Sequence, residues 1–168
     1  MGLFSKDIES LDDLFVHTLK DIYYAENKIL KSLPKMIDSA RDSDLKQALS
    51  HHLDETRGHV QRLERVFEMH GAKAEAVNCP AIDGIIEEAN EVTGDVADPD
   101  VLDAAIVAAA QAVEHYEITR YGTLSSWAKQ LGRDDCAELL ASTLDEEKAA
   151  DDKLTSLATS RVNAEAIA

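Results

Sequence analysis

Residues that break helices are scarce in this sequence, which contains only 3 prolines and 7 glycines among 168 residues. Aromatic side chains are also few, at 5% of the chain, whereas alanine is frequent. This balance favours an all-α protein, because alanine is the strongest helix former and few positions interrupt a helix. A chain of this length is typical of one domain and can bury a full core. We therefore predict a single domain over residues 1–168.

Cysteines and long apolar runs are in equally short supply. The two cysteines, Cys79 and Cys136, lie far apart in the chain and form no zinc-binding pattern, which indicates reduced thiols. Even the apolar run over residues 104–113 is far shorter than the roughly 20 residues that a membrane-spanning helix needs. Met1 is followed within a few positions by charged residues, so we expect no secretory signal. These features predict a cytoplasmic protein with no membrane partner.

Positively charged residues are also few. The chain has 17 lysines and arginines against 33 aspartates and glutamates, which gives a formal net charge of −16. Such a charge argues against nucleic acid or an anionic membrane as a partner, because both would be repelled. It fits a protein of a salty cytoplasm, and it equally fits a protein that attracts cations. The charge alone does not separate these two interpretations.

Apolar residues recur at steps of three or four along most of the chain, which is typical of amphipathic helices. This pattern predicts four long helices and one short helix, at about residues 5–40, 43–70, 81–93, 99–131 and 134–161. Ser5 is the predicted N-cap of the first helix. Pro34 should kink or locally break that helix, because its ring clashes with the preceding turn.

The two halves of the chain resemble each other when the first half is shifted by 91 residues. Glu26 then falls on Glu117, and Leu53-Asp54-Glu55 falls on Leu144-Asp145-Glu146, without any gap. The repeat predicts two helical hairpins joined by a long crossover that contains the short helix. Together these elements predict a four-helix bundle.

Carboxylates lie on the apolar stripes of these helices. Glu114 and Glu117, in the motif Val113-Glu114-His115-Tyr116-Glu117-Ile118, are three residues apart and so share one helical face. Glu26 is the single carboxylate in the apolar stripe of the first helix. A carboxylate among apolar side chains is costly unless it is paired or bound to a cation.

Hairpin geometry places these carboxylates at one height in the bundle. In an antiparallel hairpin, residues equidistant from the turn lie side by side, and the acidic residues all lie about 14 to 17 positions from their turns, roughly 21–25 Å along each helix. A shared layer of carboxylates would repel itself without a cation. Because carboxylate and imidazole ligands suit iron and manganese, the layer predicts a site for two such ions.

Each predicted ligand either lies at this height in the bundle or is three or four residues from another ligand on the same helix. They are Glu26, Glu55, His59, Glu114, Glu117, Glu146, Glu147 and Asp151. Glu146 rests on the repeat alone, and Asp151 follows Glu147 by four residues as His59 follows Glu55. His52, three residues before Glu55, also has ligand spacing, so the sequence leaves open which of the two histidines supplies the imidazole. Any of these side chains could instead lie on a solvated face and pair with a nearby lysine or arginine.

Five motifs resemble those of the YciF-type stress proteins, which belong to the ferritin-like superfamily near rubrerythrin. They are Ala25-Glu26-Asn27-Lys28, His52-Leu53-Asp54-Glu55-Thr56, the Glu114 motif above, Tyr121-Gly122-Thr123-Leu124 and Thr143-Leu144-Asp145-Glu146-Glu147-Lys148. The resemblance covers about residues 7–160 and implies a ferritin-like bundle, a homodimer and a di-metal centre.

Rubrerythrin-like sites take a Glu from the first helix, Glu-x-x-His from the second and fourth, and Glu-x-x-Glu from the third. Glu114-x-x-Glu117 fits the third of these elements. The histidine is missing after Glu55 and after Glu147, where the corresponding residues are Gly58 and Ala150. His59 and Asp151, one residue further along, are the candidate substitutes.

The leading hypothesis is a ferritin-like di-iron or di-manganese protein that oxidises ferrous iron or consumes peroxide or oxygen during stress. In this scheme Glu26 and Glu117 are terminal or bridging ligands, Glu55 and Glu147 bridge the metals, and Glu114 changes its coordination with redox state. A non-catalytic structural or interaction module is the first alternative, and carboxylates that point outward would favour it. Iron storage in a ferritin-type shell is the second alternative.

Overall fold

The computed structural model describes residues 7–167, and within that range the regular structure is entirely helical. The helices are α1 (Leu11–Ser39), α2 (Ser43–His70), α3 (Pro80–Asp95), α4 (Pro99–Gln130), α5 (Asp134–Leu157) and α6 (Asn163–Glu165), with a π-helical turn, Ala158–Val162, between the last two. The predicted all-α fold is therefore confirmed. None of these helices combines the length and the apolar character needed to cross a bilayer.

The four long helices form the predicted bundle of two hairpins. Helix α1 packs against α2, and α4 packs against α5, across short turns. The hairpins then meet through α1 against α4 and through α2 against α5. Helix α3 lies in the long crossover, where it packs on α4 and α1. Each long helix therefore directs one face towards the axis of the bundle. Residues that lie equally far from the turn of their own hairpin meet at that axis.

Side-chain and glycine caps set the ends of the helices. Asp42 accepts hydrogen bonds from the backbone N–H groups of Asp44 and Leu45 at the start of α2. Gly71 ends α2 in the left-handed region with φ 76°, and Gly132 adopts φ 71° in the turn before α5. Both turns need this conformation, which costs glycine little because it has no Cβ.

The start of the first helix differs from the prediction, and the helix continues through Pro34. It begins at Leu11, because Ser10 is its N-cap and accepts a hydrogen bond from the N–H of Asp13; Ser5 lies outside the described residues. Pro34 lies inside α1 without breaking it. The buried side chains of Ile29 and Leu33 just before Pro34 anchor that turn in the core, and tertiary packing outweighs the hydrogen bond that proline cannot donate.

The core is apolar above and below one polar layer. Towards the α1–α2 turn it contains Leu33, Leu49 and Ile106, and towards the opposite end it contains Phe15 and Phe67, all of them buried. Burying each such side chain stabilises the fold by about 1.5–3 kcal/mol. This rigid apolar packing holds the polar layer between them in a fixed geometry.

Candidate metal centre

A layer of buried carboxylates and imidazoles crosses the middle of the bundle, and every long helix contributes to it. Its members are each at most 5% exposed: Glu26 from α1, His52 and His59 from α2, Glu114 and Glu117 from α4, and Glu147 from α5. These side chains reach the same height because they are nearly equidistant from the turns of their hairpins. The acidic layer that the sequence predicts therefore points inward.

The donor atoms of this layer form two groups, and within each group they lie within 4.8 Å of one another. The first group consists of Glu26, His59 and Glu147. The second group consists of His52, Glu114, Glu117 and Glu147. Glu147 belongs to both groups, and a carboxylate has two oxygens that can each bind a different cation. Each group could hold a metal ion, and the two groups share one residue.

Nine polar atoms in the layer have no hydrogen-bond partner among the described residues. They are Oε2 of Glu26 and of Glu114, both oxygens of Glu117 and of Glu147, both ring nitrogens of His52, and Nδ1 of His59. Native proteins leave few buried polar atoms unpaired, because each costs about 1–3 kcal/mol. The six carboxylate oxygens, and one nitrogen of each neutral imidazole, can donate a lone pair to a metal, so the residues present fit metal ions such as iron or manganese.

Burial and mutual repulsion perturb the carboxyl groups strongly. Burial raises the pKa of Glu117 and of Glu114 well above the usual range, and the charge of Glu147 raises both further. Burial likewise raises the pKa of Glu26, although the contact with His59 opposes it. Raised pKa values favour the protonated carboxyl groups, so a cation bound at this layer would compete with protons.

His59 is held by partners on both sides of its ring. Burial lowers its pKa, but contacts with Glu147 and Glu26 outweigh that effect and raise the pKa to about 11. Nδ1 lies 3.0 Å from Glu147 Oε1 and 3.5 Å from Glu26 Oε1, without hydrogen-bond geometry to either. On the other side Nε2 lies 2.8 Å from Glu146 Oε2. The ring thus directs Nδ1 towards the layer.

Glu146 lies outside both groups, as the outer partner of His59. Its side chain is 35% exposed, and Arg62 donates one hydrogen bond to each of its oxygens, at 2.9 and 3.0 Å. These contacts hold the pKa of Glu146 below its usual range despite its partial burial. A carboxylate that accepts from the outer nitrogen of a histidine is typical of metal-ligating histidines, because it fixes the tautomer and the ring orientation.

Glu55 and Asp151 also lie outside the two groups. The Glu55 carboxylate is 3.1 Å from Nδ1 of the exposed His51, and its side chain is 25% exposed. The Asp151 carboxylate accepts a 3.0 Å hydrogen bond from Gln111 and lies 3.2 Å from His115 Nε2. Of the eight ligands predicted from sequence, the structure brings five together in the two groups: Glu26, His59, Glu114, Glu117 and Glu147.

His52 also belongs to the layer, so both of the histidines between which the sequence left the choice open lie in it. It lies seven residues before His59, which is two helical turns, so both rings lie on one face of α2. Thr56, between them, is fully buried and occupies the position that matches Glu147 in the 91-residue repeat. Its hydroxyl donates to the backbone oxygen of His52 at 2.7 Å. In the repeat, the position of α2 that corresponds to Glu147 is Thr56 and not Glu55. His52 lies one helical turn before Thr56 on the same buried face, and this spacing is the feature of the sequence that could have identified it.

Tyr121 completes the surroundings of Glu26. The phenol is fully buried, one turn after Glu117 on α4, and it donates a hydrogen bond to Glu26 Oε1. Glu26 Oε2 has no hydrogen-bond partner among the described residues. Tyr121 therefore supplies a hydrogen bond to one of the two oxygens of Glu26.

The fold and the layer together define a ferritin-like four-helix bundle with a buried carboxylate and imidazole centre. Residues 10–167 match the family described as "Domain of unknown function (DUF892)", so the chain belongs to that family. The chain is 45% identical to Protein YciF of Escherichia coli strain K12 over 161 residues, which are 95% of this chain and 97% of that protein. The predicted resemblance to YciF-type proteins is thus confirmed.

Solved structures agree with this assignment. YcfI of Rhodopseudomonas palustris, which its description proposes as a structural protein, matches with a TM-score of 0.89 and 57% identity over 92% of this chain and 98% of that chain. The crystal structure of the E. coli stress protein YciF also matches with a TM-score of 0.89, at 45% identity over 93% of this chain and 99% of that chain. A protein from Xanthomonas campestris, at 21% identity, TM-score 0.71 and coverage of 92% and 94%, shares the fold.

Proposed function

We propose that the protein binds two iron or manganese ions in the buried layer. The observation that carries this proposal is the set of nine polar atoms without hydrogen-bond partners among the described residues, which belong to metal-ligating side chains in two groups that share Glu147. Glu26 and His59 would hold one ion, Glu147 would bridge, and the second ion would bind His52, Glu114 and Glu117. Without a cation this layer would combine buried charge with unsatisfied polar atoms, and both destabilise a fold.

The remaining predicted ligands take other roles in this proposal. Glu146 orients His59 from outside the centre, since it accepts from the outer ring nitrogen and is itself held by Arg62. Asp151 is taken up by contacts with Gln111 and His115. Glu55 lies between His51 and His52, outside both groups.

We further propose that the centre consumes hydrogen peroxide or oxygen, or oxidises ferrous iron, during stress. A pair of ferrous ions, when bound, would supply the two electrons that reduce peroxide to water. The chain itself provides an apolar cavity of about 50 Å³ between α1, α3 and α4, lined by Leu33, Ile86 and Val113 and reaching His52 and Glu114. A cavity of this volume has room for a molecule of the size of peroxide or oxygen. The description of E. coli YciF as a stress protein supports this role.

A passive structural role is the second candidate, because the YcfI protein of R. palustris is described in those terms. Stopped-flow mixing of the ferrous-loaded protein with peroxide separates the two. A catalytic centre oxidises iron faster than free ferrous iron reacts in the same buffer. Oxidation at the rate of free iron would leave the structural role as the better account.

Location and assembly complete the proposal. A cytoplasmic location is supported by Cys79 and Cys136, which are both buried and both free thiols, as expected in a reducing compartment. A homodimer follows from the resemblance to YciF-type proteins. Light scattering coupled to size exclusion tests it, and a mass of one chain in both metal-loaded and metal-free protein would contradict it.

The metal proposal is tested by the double variant Glu26→Gln with Glu117→Gln. The wild type should take up about two ions per chain, and the double variant should lose tight uptake while its helix content persists. The matched control replaces Asp54 and Asp145, two exposed residues at equivalent repeat positions, with asparagine. Unchanged metal content in the Glu26/Glu117 variant would overturn the assignment of the centre.

A further inference from the structure

A second opening reaches the buried layer from the opposite side of the bundle. A pocket of about 410 Å³ opens between α2 and α5. Its polar walls include Asp44, His51, Glu55 and Lys153 near the surface and His52 and Glu114 at its inner end. Six of its lining residues are ionisable, and they include both exposed and buried side chains.

These groups form a graded series from solvent to the layer. The side chain of His51 is 73% exposed, that of Glu55 is 25% exposed, and that of His52 is 7% exposed. Glu55 Oε2 lies 3.1 Å from His51 Nδ1 and 3.8 Å from His52 Nδ1. His52 Nε2 in turn lies 3.3 Å from Glu114 Oε1. Glu55 therefore stands between an exposed imidazole and a buried one.

At its inner end the pocket contains buried polar atoms that have no hydrogen-bond partner among the described residues. This observation is separate from the acidic residues at its mouth. Both ring nitrogens of His52 lack a hydrogen-bond partner, although His52 is only 5% exposed. Glu114 Oε2, on the same wall, also lacks a partner. A cation that leaves Glu55 thus meets free nitrogen and oxygen donors at the next position.

We propose that the pocket between α2 and α5 is the loading path for divalent cations, and that Glu55 with His51 forms a transient cation site at its mouth. The proposal rests on the metal centre proposed above and adds to it. A hydrated divalent cation cannot pass into a buried layer until its waters are replaced, and divalent ions give up their water reluctantly. Ligands placed in series replace that water stepwise, so no single step strips the whole hydration shell.

Uptake of Co²⁺ by the metal-free full-length protein, followed by stopped-flow absorption, tests this path. Glu55→Gln should slow uptake by roughly tenfold, on the order of the factor that one charge-assisted contact supplies. The final amount of bound Co²⁺ should equal that of the wild type. Asp54→Asn is the matched control, because it removes the same charge from the neighbouring position, where Asp54 is exposed and pairs with Arg57. The control should load at nearly the wild-type rate.

A steric variant tests the path without changing charge. Ala150 is half-buried on the α5 wall of the pocket, so Ala150→Leu should slow uptake and release of Co²⁺ together and leave the affinity unchanged. Uptake by Glu55→Gln at the rate of Asp54→Asn, or by Ala150→Leu at the wild-type rate, would overturn the path. A lower final stoichiometry in Glu55→Gln would make Glu55 a permanent ligand and would also overturn it, while the metal centre stands. A wild type that takes up no Co²⁺ would overturn both proposals.

Discussion

Replacing Glu117 with methionine should stabilise the metal-free protein and abolish its stabilisation by metal. Glu117 is fully buried, neither of its oxygens has a hydrogen-bond partner in the described part of the chain, and burial raises its pKa well above the usual range. Glu147, Glu26 and Glu114 each raise that pKa further by repulsion. The side chain therefore opposes folding at neutral pH unless a cation neutralises it.

The size of the effect follows from that environment. Replacing a buried charge by an apolar side chain of similar volume is commonly worth about 1–4 kcal/mol. For a domain of this length each 1 kcal/mol shifts Tm by roughly 2–4 °C, so the metal-free variant should melt about 2–16 °C above the metal-free wild type. In the wild type a metal at 100 times its Kd should add about 2.7 kcal/mol. In the variant that increment should largely disappear.

Calorimetry of both proteins, with chelator and with Mn²⁺, measures the two effects together. Leu124→Met is the control, because Leu124 is buried two turns further along the same face of α4, and a swap of this kind changes stability by under about 1.5 kcal/mol. The control should keep the full response to metal. A metal-free Glu117→Met protein that melts below the metal-free wild type, or one that responds to Mn²⁺ like the wild type, would refute the reasoning.

Three further predictions concern pH and the partners of the centre. The pKa values of Glu114 and Glu117 are raised in the folded state, so the metal-free fold binds more protons than the unfolded chain. The stability of the metal-free protein should therefore fall as pH rises above about 4.5. His59, whose pKa is raised to about 11, should continue that fall between about pH 6.5 and 11. Urea titrations between pH 5 and 9 measure this, and a metal-free stability that rises steadily over that range would contradict it. Glu146→Gln should weaken Mn²⁺ binding by roughly 10- to 100-fold, as loss of an outer partner of a ligating histidine does, and unchanged affinity by calorimetry would remove Glu146 from that role. Tyr121→Phe should free Glu26 Oε1 and cost the metal-free protein about 1–3 kcal/mol, and an unchanged urea midpoint would show that the hydrogen bond contributes nothing.

Much of the fold could be predicted because it depends on periodicity. The apolar stripes predict four long helices, and the short turns at Arg41 and Gly132 predict that neighbouring helices are antiparallel. The height of each residue in a hairpin follows from its distance to the turn, at 1.5 Å per residue. That rule alone is sufficient to bring Glu26, Glu114, Glu117 and Glu147 to one layer, which is where the structure places them.

The direction of a side chain around the helix axis was harder to predict. Glu55 and Thr56 differ by only about 1.5 Å in height but by about 100° around α2, so a rule based on height does not distinguish them. The structure places Thr56 at the buried position and Glu55 at the edge of the pocket. The same rotation separates Glu147, in the centre, from Glu146 at its outer side.

Anomalous diffraction from crystals of the Mn²⁺-loaded protein tests the central claim most directly. The account predicts two manganese peaks in the middle of the bundle, with Glu147 between them. One peak should contact Glu26 and His59, and the other should contact His52, Glu114 and Glu117. Manganese found only on the surface, with the buried layer free of any peak at full loading, would contradict the account.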